Sequence, residues 1–392
     1  MTGAGPVGPP ASRTGRILGV DAARAVALVG MFATHILPLR AGGAETPAGL
    51  VADGRASALF AVLAGVGVAL STGGPVPPAR GRAHLAAAAG LIVRGVLVGL
   101  LGLVLAGLDP PVAVILAYYG VLFVVATPLL RLPVPALAAG AVLACVLTPA
   151  VSLLLRRGLP AGPGNQPGLA ALAEPGALLE TLTLTGYYPV LTWTTYLLAG
   201  MAVGRLDLRS VRVGWGLLAG GAALALLTAG TSALLLGPGG GAAALGPAAL
   251  QQQRYGTTPT DTWWWLAVDI PHSGASLDLA HTTGTALAVL GAMLLLARWA
   301  RPLVLVPAAV GAVPLTLYTL HVVALTVYPG TTPDGGAGEG TLWLGHVLAA
   351  VAIGSALWLC GRRGPLESVV SGATRRVRRL LDPAPPASAP AR

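Results

Sequence analysis

Asp21, Arg24 and His35 lie within the first apolar stretch of the chain, residues 15–37, which is long enough to cross a bilayer. On a helix with about 100° per residue, Arg24 and His35 lie roughly 20° apart, and Asp21 falls within roughly 60° of both. A charged side chain inside a membrane span costs roughly 2.5–3.5 kcal/mol, which a simple anchor would avoid. We therefore expect a polar track that faces the interior of a helix bundle. The alternative is a helix-capping Asp–Arg pair with a separately satisfied histidine.

Another charge, Arg94, lies several residues inside a later apolar segment, LIVRGVLVGL. A buried arginine in a membrane must pair with an acceptor or extend its side chain to the interface. Asp21 is one candidate partner. Alternatively, Arg94 and Arg24 form part of an anion pocket, because a guanidinium binds phosphate through two parallel hydrogen bonds. We predict that Asp21, Arg24 and Arg94 form one polar cluster used by an anionic cofactor.

The elements that carry these residues are predicted to be membrane helices. The chain has 392 residues, of which 55% are hydrophobic and 10% charged, and its mean hydropathy is +0.76. This composition is typical of a protein with many membrane spans and argues against a soluble domain. The net charge of +10 is explained by basic cytoplasmic loops, so no nucleic-acid partner is expected. Cys145 and Cys360 lie in apolar segments, which argues against a disulfide framework.

The apolar segments predict an all-α transmembrane helix bundle of about ten spans. Their limits are roughly 17–37, 56–73, 86–107, 111–130, 133–155, 188–205, 213–236, 277–297, 302–328 and 341–361. An eleventh short or re-entrant segment within residues 240–271 is left open. We expect a disordered tail over residues 1–12, a transmembrane domain over residues 13–365, and a tail over residues 366–392 that is first basic and then rich in Pro and Ala.

The arginines test this topology independently of hydropathy. If ten spans begin and end in the cytoplasm, most loop and tail arginines lie inside, and those outside are Arg40, Arg55, Arg156, Arg157 and Arg254. This asymmetry is what the positive-inside rule demands, so both termini are predicted to be cytoplasmic. The protein is expected in the cell membrane, with membrane lipids as partners of its basic C-terminal run.

The same topology brings histidines to the outer face, which are His35, His272, His281, His321 and His346. A neutral imidazole near pH 7 suits a general base or an acyl carrier. We expect His35, together with His281 or His321, to line one cavity. Asp278 is three residues before His281 and could orient it. The alternative is that these histidines cap helices.

Further residues on the outer face are candidates for binding a substrate, namely Asp53, Arg55, Tyr187, Tyr188, Trp193 and His272. Their aromatic members could equally form the ordinary interfacial belt of a membrane protein. The histidines have no close ligand spacing on one helix face, and no HExxH or paired Cys/His motif is present. No metal site is therefore expected.

The sequence GRILGVDAARAVALVGMFATH and the later DGRASALFAVLAGVGVALS resemble the heparan-α-glucosaminide N-acetyltransferase catalytic-domain family. Members begin with a first span of the type R-x-x-x-x-D-x-x-R-G, followed by a span that opens on a polar residue and ends Gly-rich. The segments TGYYPVLTWTTYLLAGMAVGR, PHSGASLDLAHTTGTALAVLGAMLLL and PLTLYTLHVV resemble related bacterial multi-pass families, so the resemblance covers roughly residues 13–361. The animal enzymes carry a critical histidine in the first outer loop, whereas this loop has none after His35.

The resemblance implies a multi-pass N- or O-acyltransferase. It would take an acetyl group from cytoplasmic acetyl-CoA and deliver it to an amino-sugar or other glycan-type acceptor on the opposite side. Acetyl-CoA would then be the anionic cosubstrate of the cluster formed by Asp21, Arg24 and Arg94. The alternative function is a transporter or exporter of a lipid- or glycan-linked small molecule. Inverted repeats would favour transport, and the sequence shows none.

Overall fold

The structure, a computed structural model, describes residues 16–159, 166–328 and 338–382. The predicted N-terminal tail, residues 1–12, lies outside the described residues, as does the end of the predicted C-terminal tail, residues 383–392. The domain limits therefore stay predictions.

The helices follow the apolar segments of the sequence. The α-helices of the described residues are α1 (Leu18–Ile36), α2 (Pro47–Ala52), α3 (Arg55–Ser71), α4 (Arg82–Ala106), α5 (Leu116–Val125), α6 (Val134–Leu155), α7 (Pro175–Glu180), α8 (Val190–Gly204), α9 (Val211–Leu236), α10 (Gly241–Leu245), α11 (Pro247–Gln251), α12 (Ser276–Trp299), α13 (Arg301–Val310), α14 (Pro314–Val327), α15 (Glu339–Leu359) and α16 (Pro365–Leu381). Short 3₁₀ or π turns lie at Thr127–Leu129, Leu169–Ala173, Thr181–Thr185 and Trp263–Ala267. Two strands of two residues, β1 (Arg40–Ala41) and β2 (Ala44–Glu45), pair antiparallel. The predicted all-α class is confirmed.

Among the described residues, seven helical segments are long and apolar enough to cross a membrane, and one of them, Pro47–Ser71, comprises α2 and α3. The number rises to eight if the bent pair α13 and α14 is one span. The two remaining predicted spans contain α5 and α8, which are apolar but have 10 and 15 residues. Crossing the hydrocarbon core takes about 20 residues. The count of ten spans and the cytoplasmic termini therefore stay predictions. Residues 240–271 hold α10, α11 and a 3₁₀ turn, each of five residues and too short to cross the membrane by itself. A short re-entrant segment in this region stays a prediction.

Helix α1 is surrounded by other helices, because it packs against α3, α12, α13, α14 and α15. Its buried residues are distributed over most of its length, from Gly19 to Ile36. Helix α8 is also buried on nearly all sides, and it meets α3 where Gly65 and Gly200 bring the two backbones into contact. Helix α1 therefore lies in the interior of the bundle, although it is the least hydrophobic of the candidate spans.

Helices α13 and α14 are separated by a bend of 58°. Gly311 lies at this break, directly against the backbone of Asp21 in α1. The break leaves the first N–H groups of α14 without helical partners. The carboxylate of Glu367 in α16 accepts hydrogen bonds from Leu315 N at 2.8 Å and from Thr316 N at 3.1 Å. The broken helix is thus held between α1 and α16.

We expect Gly311→Ala to destabilise the protein, by about 1–3 kcal/mol or more, because a Cβ here would overlap the backbone oxygen of Asp21. The measurement is the melting temperature of the purified protein in detergent. The control is Gly216→Ala in α9, where a Cβ would meet nothing within 4 Å. That variant should be neutral or more stable by up to about 1 kcal/mol. Equal melting temperatures for the two variants would contradict the close packing of α1 on the break.

Candidate active site

Two cavities lie at opposite ends of α1. The first has a volume of 790 Å³ and adjoins His35 in the last turn of the helix; we call it the histidine cavity. The second has a volume of 700 Å³ and adjoins Asp21 and Arg24 in the first turns; we call it the arginine cavity. Both volumes are in the range of small-molecule sites. Tyr318 of α14 lines both cavities and is therefore a wall that they share.

Five of the predicted site residues line the histidine cavity. They are His35 at the end of α1, Asp53 before α3, Tyr187 and Tyr188 before α8, and His272 before α12. All five lie at helix ends, which the bundle brings together at one end. Other polar residues of the cavity were missed by the sequence reasoning, because they lie in connecting segments without a periodic pattern; they are Asp109, Gln166, Gln253, Arg254 and Tyr255.

Asp53 and His272 form a polar pair in this cavity, with Oδ1 of the aspartate 3.6 Å from Nε2 of the histidine. His272 has a φ of 59°, which is uncommon for a residue other than glycine. Its backbone oxygen accepts a hydrogen bond from Gly256 N at 2.7 Å, which helps to hold this conformation. Burial lowers the pKa of His272, and Asp53 opposes this shift only in part, so the imidazole is neutral at pH 7. The pair can bind a hydroxyl or ammonium group.

His35 is the member of the predicted catalytic set that lines the histidine cavity. Its Nδ1 lies 3.0 Å from Nε2 of His321, and Nε2 of His35 has no hydrogen-bond partner among the described residues. The second nitrogen of His321, Nδ1, lies 3.0 Å from Nδ1 of His346. The ring of Phe32 stacks on His321 with the ring centroids 4.1 Å apart. His321 is therefore in contact with His35 but is set back from the cavity.

The expected contact between Asp278 and His281 is not formed. The carboxylate of Asp278 accepts a hydrogen bond from Gly274 N at 3.0 Å, just before α12 begins. The spacing of three residues permits the predicted pair, but the same carboxylate oxygen also accepts a hydrogen bond from Ser273 Oγ at 3.2 Å, so Asp278 is turned toward the segment before α12. Nδ1 of His281 lies 3.1 Å from the backbone oxygen of Ala225 in α9. Neither side chain lines the histidine cavity, so the expectation that His281 shares this cavity with His35 is not met.

Arg55 and Trp193 lie behind the wall of the cavity. Nη2 of Arg55 is 3.3 Å from Nε2 of His281, and its Nη1 donates to the backbone oxygen of Asp53 at 3.4 Å. The ring of Trp193 meets the ring of Tyr188 edge-on, with the centroids 4.9 Å apart. Both residues were predicted to bind substrate, and in the structure both contact residues that line the cavity.

Asp21, Arg24 and Arg94 together line the arginine cavity. The buried carboxylate of Asp21 accepts hydrogen bonds from Nη1 of Arg24 at 2.7 Å and from Nε of Arg16 at 2.9 Å. Arg94, the candidate partner named from the sequence, does not pair with it. The guanidinium of Arg94 lies over the ring of Phe123 at 4.7 Å instead. This cation–π contact uses none of the N–H donors of Arg94, which stay available for an anion.

The arginine cavity carries an excess of positive charge. Its two carboxylates, Asp21 and Glu367, are both used within the protein, by two arginines and by the start of α14. Six arginines line the same cavity, namely Arg16, Arg24, Arg94, Arg363, Arg375 and Arg378. A cavity with walls of one charge sign concentrates ligands of the opposite sign. The cavity is therefore suited to a ligand with several negative charges.

Helix α16 supplies part of this cavity and was not predicted. The sequence indicated a basic tail, whereas residues 365–381 form a helix that packs on α4. Nη1 of Arg378 donates to the backbone oxygen of Ser71, at the end of α3, at 2.8 Å. Gly90 of α4 provides the space in which the side chain of Arg378 lies. The signal in the sequence was the helical spacing of Val and Leu among the arginines, which is typical of an interfacial amphipathic helix.

Comparison with known protein families gives one match. The family model described as heparan-alpha-glucosaminide N-acetyltransferase, catalytic, matches residues 16–236, which is more than half of the chain. Neither the curated proteins nor the solved structures give a match. The matched region runs from α1 to α9 and contains His35, Asp53 and the cluster of Asp21, Arg24 and Arg94. The chain therefore belongs to the heparan-alpha-glucosaminide N-acetyltransferase catalytic family, a family of multi-pass membrane proteins to which acetyl-CoA-dependent N-acetyl transfer is ascribed.

Proposed function

We propose that this protein transfers an acetyl group from acetyl-CoA in the arginine cavity to an acceptor in the histidine cavity. The observation that carries the proposal is the pair of cavities at opposite ends of α1, which share Tyr318 as a wall. A cofactor bound in one cavity needs only to extend its reactive end past this residue to meet an acceptor in the other. Membership of the family supplies the reaction type.

The arginine cavity suits the shape and charge of acetyl-CoA, which has phosphate groups at one end and a thioester at the end of a flexible arm. Arg24 and Arg94 are our candidates for binding the phosphates. Asp21 would hold Arg24 in position through the hydrogen bond of 2.7 Å. The arm would pass along the apolar part of the cavity, which includes Leu116, toward Tyr318.

The reaction in the histidine cavity would be general-base attack on the thioester. Nε2 of His35 accepts a proton from the amine or hydroxyl group of the acceptor, since Nδ1 is engaged by His321. The acceptor atom then bonds to the acetyl carbon, the carbon–sulfur bond breaks, and the CoA thiolate takes up a proton. The hydroxyl of Tyr318 is a candidate donor to the oxyanion, because its bond to Ala113 O is long, at 3.5 Å.

The acceptor we propose is an amino sugar or another glycan-type molecule. Tyr187, Tyr188 and Tyr255 line the histidine cavity, and their rings offer flat apolar surfaces to a sugar ring. Asp53 and His272 would bind its hydroxyl or ammonium groups. This assignment keeps the substrate-binding roles predicted for four of the six outer-face residues.

The arginine cavity is proposed to face the cytoplasm, where acetyl-CoA would be supplied. Arg16 and Arg363 lie at this end of the bundle, in agreement with the positive-inside rule. We propose ten spans, in which α5 and α8, although short, cross the membrane together with the segments next to them. Both termini are then in the cytoplasm. The cell membrane is the proposed location.

Transport is the second candidate function. The broken pair α13 and α14, with its bend of 58°, favours it, because broken helices form the substrate sites of many transporters. In that case a lipid- or glycan-linked small molecule would move between the two cavities past Tyr318, and no covalent change would occur. The experiment below distinguishes the two functions.

Purified full-length protein in detergent should transfer a labelled acetyl group from acetyl-CoA to at least one member of a panel of amino sugars and simple amines. Mass spectrometry of the product identifies the acetylated atom. Release of CoA should be much slower without an acceptor, because water is a poorer nucleophile than an amine. Binding of acetyl-CoA without acetylation of any acceptor in the panel would contradict the proposed function.

A further inference from the structure

Three imidazoles form an unbroken chain of hydrogen bonds that starts at the histidine cavity. His35 of α1 bonds to His321 of α14, with the two nitrogens 3.0 Å apart. His321 bonds through its other nitrogen to His346 of α15, again at 3.0 Å. The rings are close to one another, with centroids 5.3 Å apart for the first pair and 4.7 Å for the second. Three helices therefore contribute one ring each.

At any moment, the hydrogen bonds between the three imidazoles all point in one direction. A neutral imidazole has one donor nitrogen and one acceptor nitrogen. Because both nitrogens of His321 face other imidazoles, its single proton must point toward one neighbour while it accepts from the other. If His35 gains a proton at its cavity side, it can pass the proton at Nδ1 to His321, which passes its own to His346. Each transfer moves a proton by one short bond and leaves the next ring ready to accept.

The first and last of the three imidazoles, those of His35 and His346, lie in different surroundings. His35 lines the histidine cavity, whereas His321 is only 2% exposed and is covered by the stacked ring of Phe32. His346 is partly exposed. It lies seven residues after Glu339, on the same face of α15 and roughly 10 Å further along the helix. The chain thus leads from the cavity through the core to a peripheral helix.

Three histidines with only a structural role would destabilise the protein at this position. Polar side chains inside a membrane bundle are costly, and an apolar side chain would fill the site of His321 without that cost. Backbone or hydroxyl partners would satisfy a structural histidine, yet both nitrogens of His321 are bonded to imidazoles. Within the described residues, no group of His, Cys, Asp or Glu is arranged to hold a metal ion. The arrangement instead matches what proton transfer requires.

We propose that His35, His321 and His346 form a proton relay that carries the proton of the acceptor out of the histidine cavity. The inference rests on the proposed acetyl transfer. An amine acceptor enters as an ammonium ion and must lose one proton before its nitrogen can attack the thioester. The nitrogen–carbon bond forms, the carbon–sulfur bond breaks, and the thiolate leaves as the thiol with the second proton of the amine. One proton per acetyl group remains, and the relay removes it.

The test measures single-turnover acetyl transfer by full-length protein in detergent, with His346→Ala, His346→Gln and the control His84→Gln. His84 lies in the first turn of α4, away from both cavities. Loss of the terminal acceptor should lower the rate about 10–100-fold, a part of the usual contribution of acid–base catalysis. The KM for acetyl-CoA should not change, because the arginine cavity is at the other end of α1. His84→Gln should react like the unchanged protein.

The two substitutions at His346 separate a relay from a structural bond. Glutamine keeps a hydrogen bond to His321 but cannot accept a proton at one atom and release it at another. A relay predicts that Gln and Ala are equally slow, and that free imidazole in the buffer restores part of the rate of His346→Ala. Full activity of His346→Gln, or slow transfer that imidazole does not restore, would overturn the relay.

The outcomes also separate the relay from the proposed function. If the unchanged protein transfers acetyl groups and His346→Ala does so at the same rate, the relay is wrong and the acetyltransferase stands. If the unchanged protein transfers none to any acceptor, the proposed function fails and the relay fails with it. A folded variant should keep the gel-filtration profile and the CoA affinity of the unchanged protein. These two measurements therefore show whether a slow variant is folded.

Discussion

Replacement of His35 by alanine is expected to lower the rate of acetyl transfer about 10²–10⁴-fold, the range for loss of a general base. His35 lines the histidine cavity, and its Nε2 is not engaged by His321. The KM for acetyl-CoA should change little, because the residues proposed to bind the phosphates lie at the other end of α1. Single-turnover transfer, with the acceptor in excess, measures the chemical step directly.

The matched control is His281→Gln. His281 is a histidine near the same end of the bundle, but its nitrogens face Ala225 O and Arg55 and it does not line the cavity. This variant should retain most of the activity. Membrane insertion and monodispersity of both variants are checked before the rates are compared. Full activity of His35→Ala would remove this residue from the mechanism.

Replacement of Arg94 by leucine is expected to raise the KM for acetyl-CoA roughly 10–150-fold, because a hydrogen bond to a charged group contributes about 1.5–3 kcal/mol. Arg94 has no carboxylate partner among the described residues, and its guanidinium lies over Phe123 in the wall of the arginine cavity. Its loss therefore removes a phosphate ligand without leaving a buried carboxylate unpaired. The rate at saturating acetyl-CoA should change much less than the KM.

A truncated cosubstrate makes this prediction specific. Acetyl-pantetheine carries the same thioester but lacks the phosphates, so its KM should be the same for Arg94→Leu and the unchanged protein. Arg212→Leu, an exposed arginine at the start of α9, is the control and should affect neither thioester. An equal increase in KM for both thioesters would show that Arg94 acts on packing and not on the phosphates.

The apolar segments predicted the positions of the membrane helices well, because burial in lipid or in a membrane core requires the same residues. They did not predict helix lengths. The apolar run at 111–130 includes Val112, Ala113 and Ile115, which lie between α4 and α5 and line the histidine cavity. Hydropathy does not distinguish a helix from a connecting segment here, because a buried connecting segment in a membrane protein is as apolar as a helix.

The site was predictable where one helix carries the residues and not where several helices meet. Helical spacing alone placed Asp21 and Arg24 on one stripe, and both line the arginine cavity. The partner of Arg94 could not be predicted, because the two candidates, Phe123 and Asp21, lie on different helices and the spacing along the chain does not rank them. The same holds for His321, which meets His35 and His346 only through the packing of α1, α14 and α15.

The central claim is that the acetyl group passes from the arginine cavity to the histidine cavity, and thus from one side of the membrane to the other. Sealed proteoliposomes test it most directly, with labelled acetyl-CoA outside and an amino-sugar acceptor enclosed inside. The orientation of the protein is determined by protease accessibility of the C-terminal helix. Molecules that expose this helix to acetyl-CoA should produce labelled acceptor inside the vesicles, without entry of CoA. If labelled product forms only when acetyl-CoA and acceptor are on the same side, the two-cavity account is wrong.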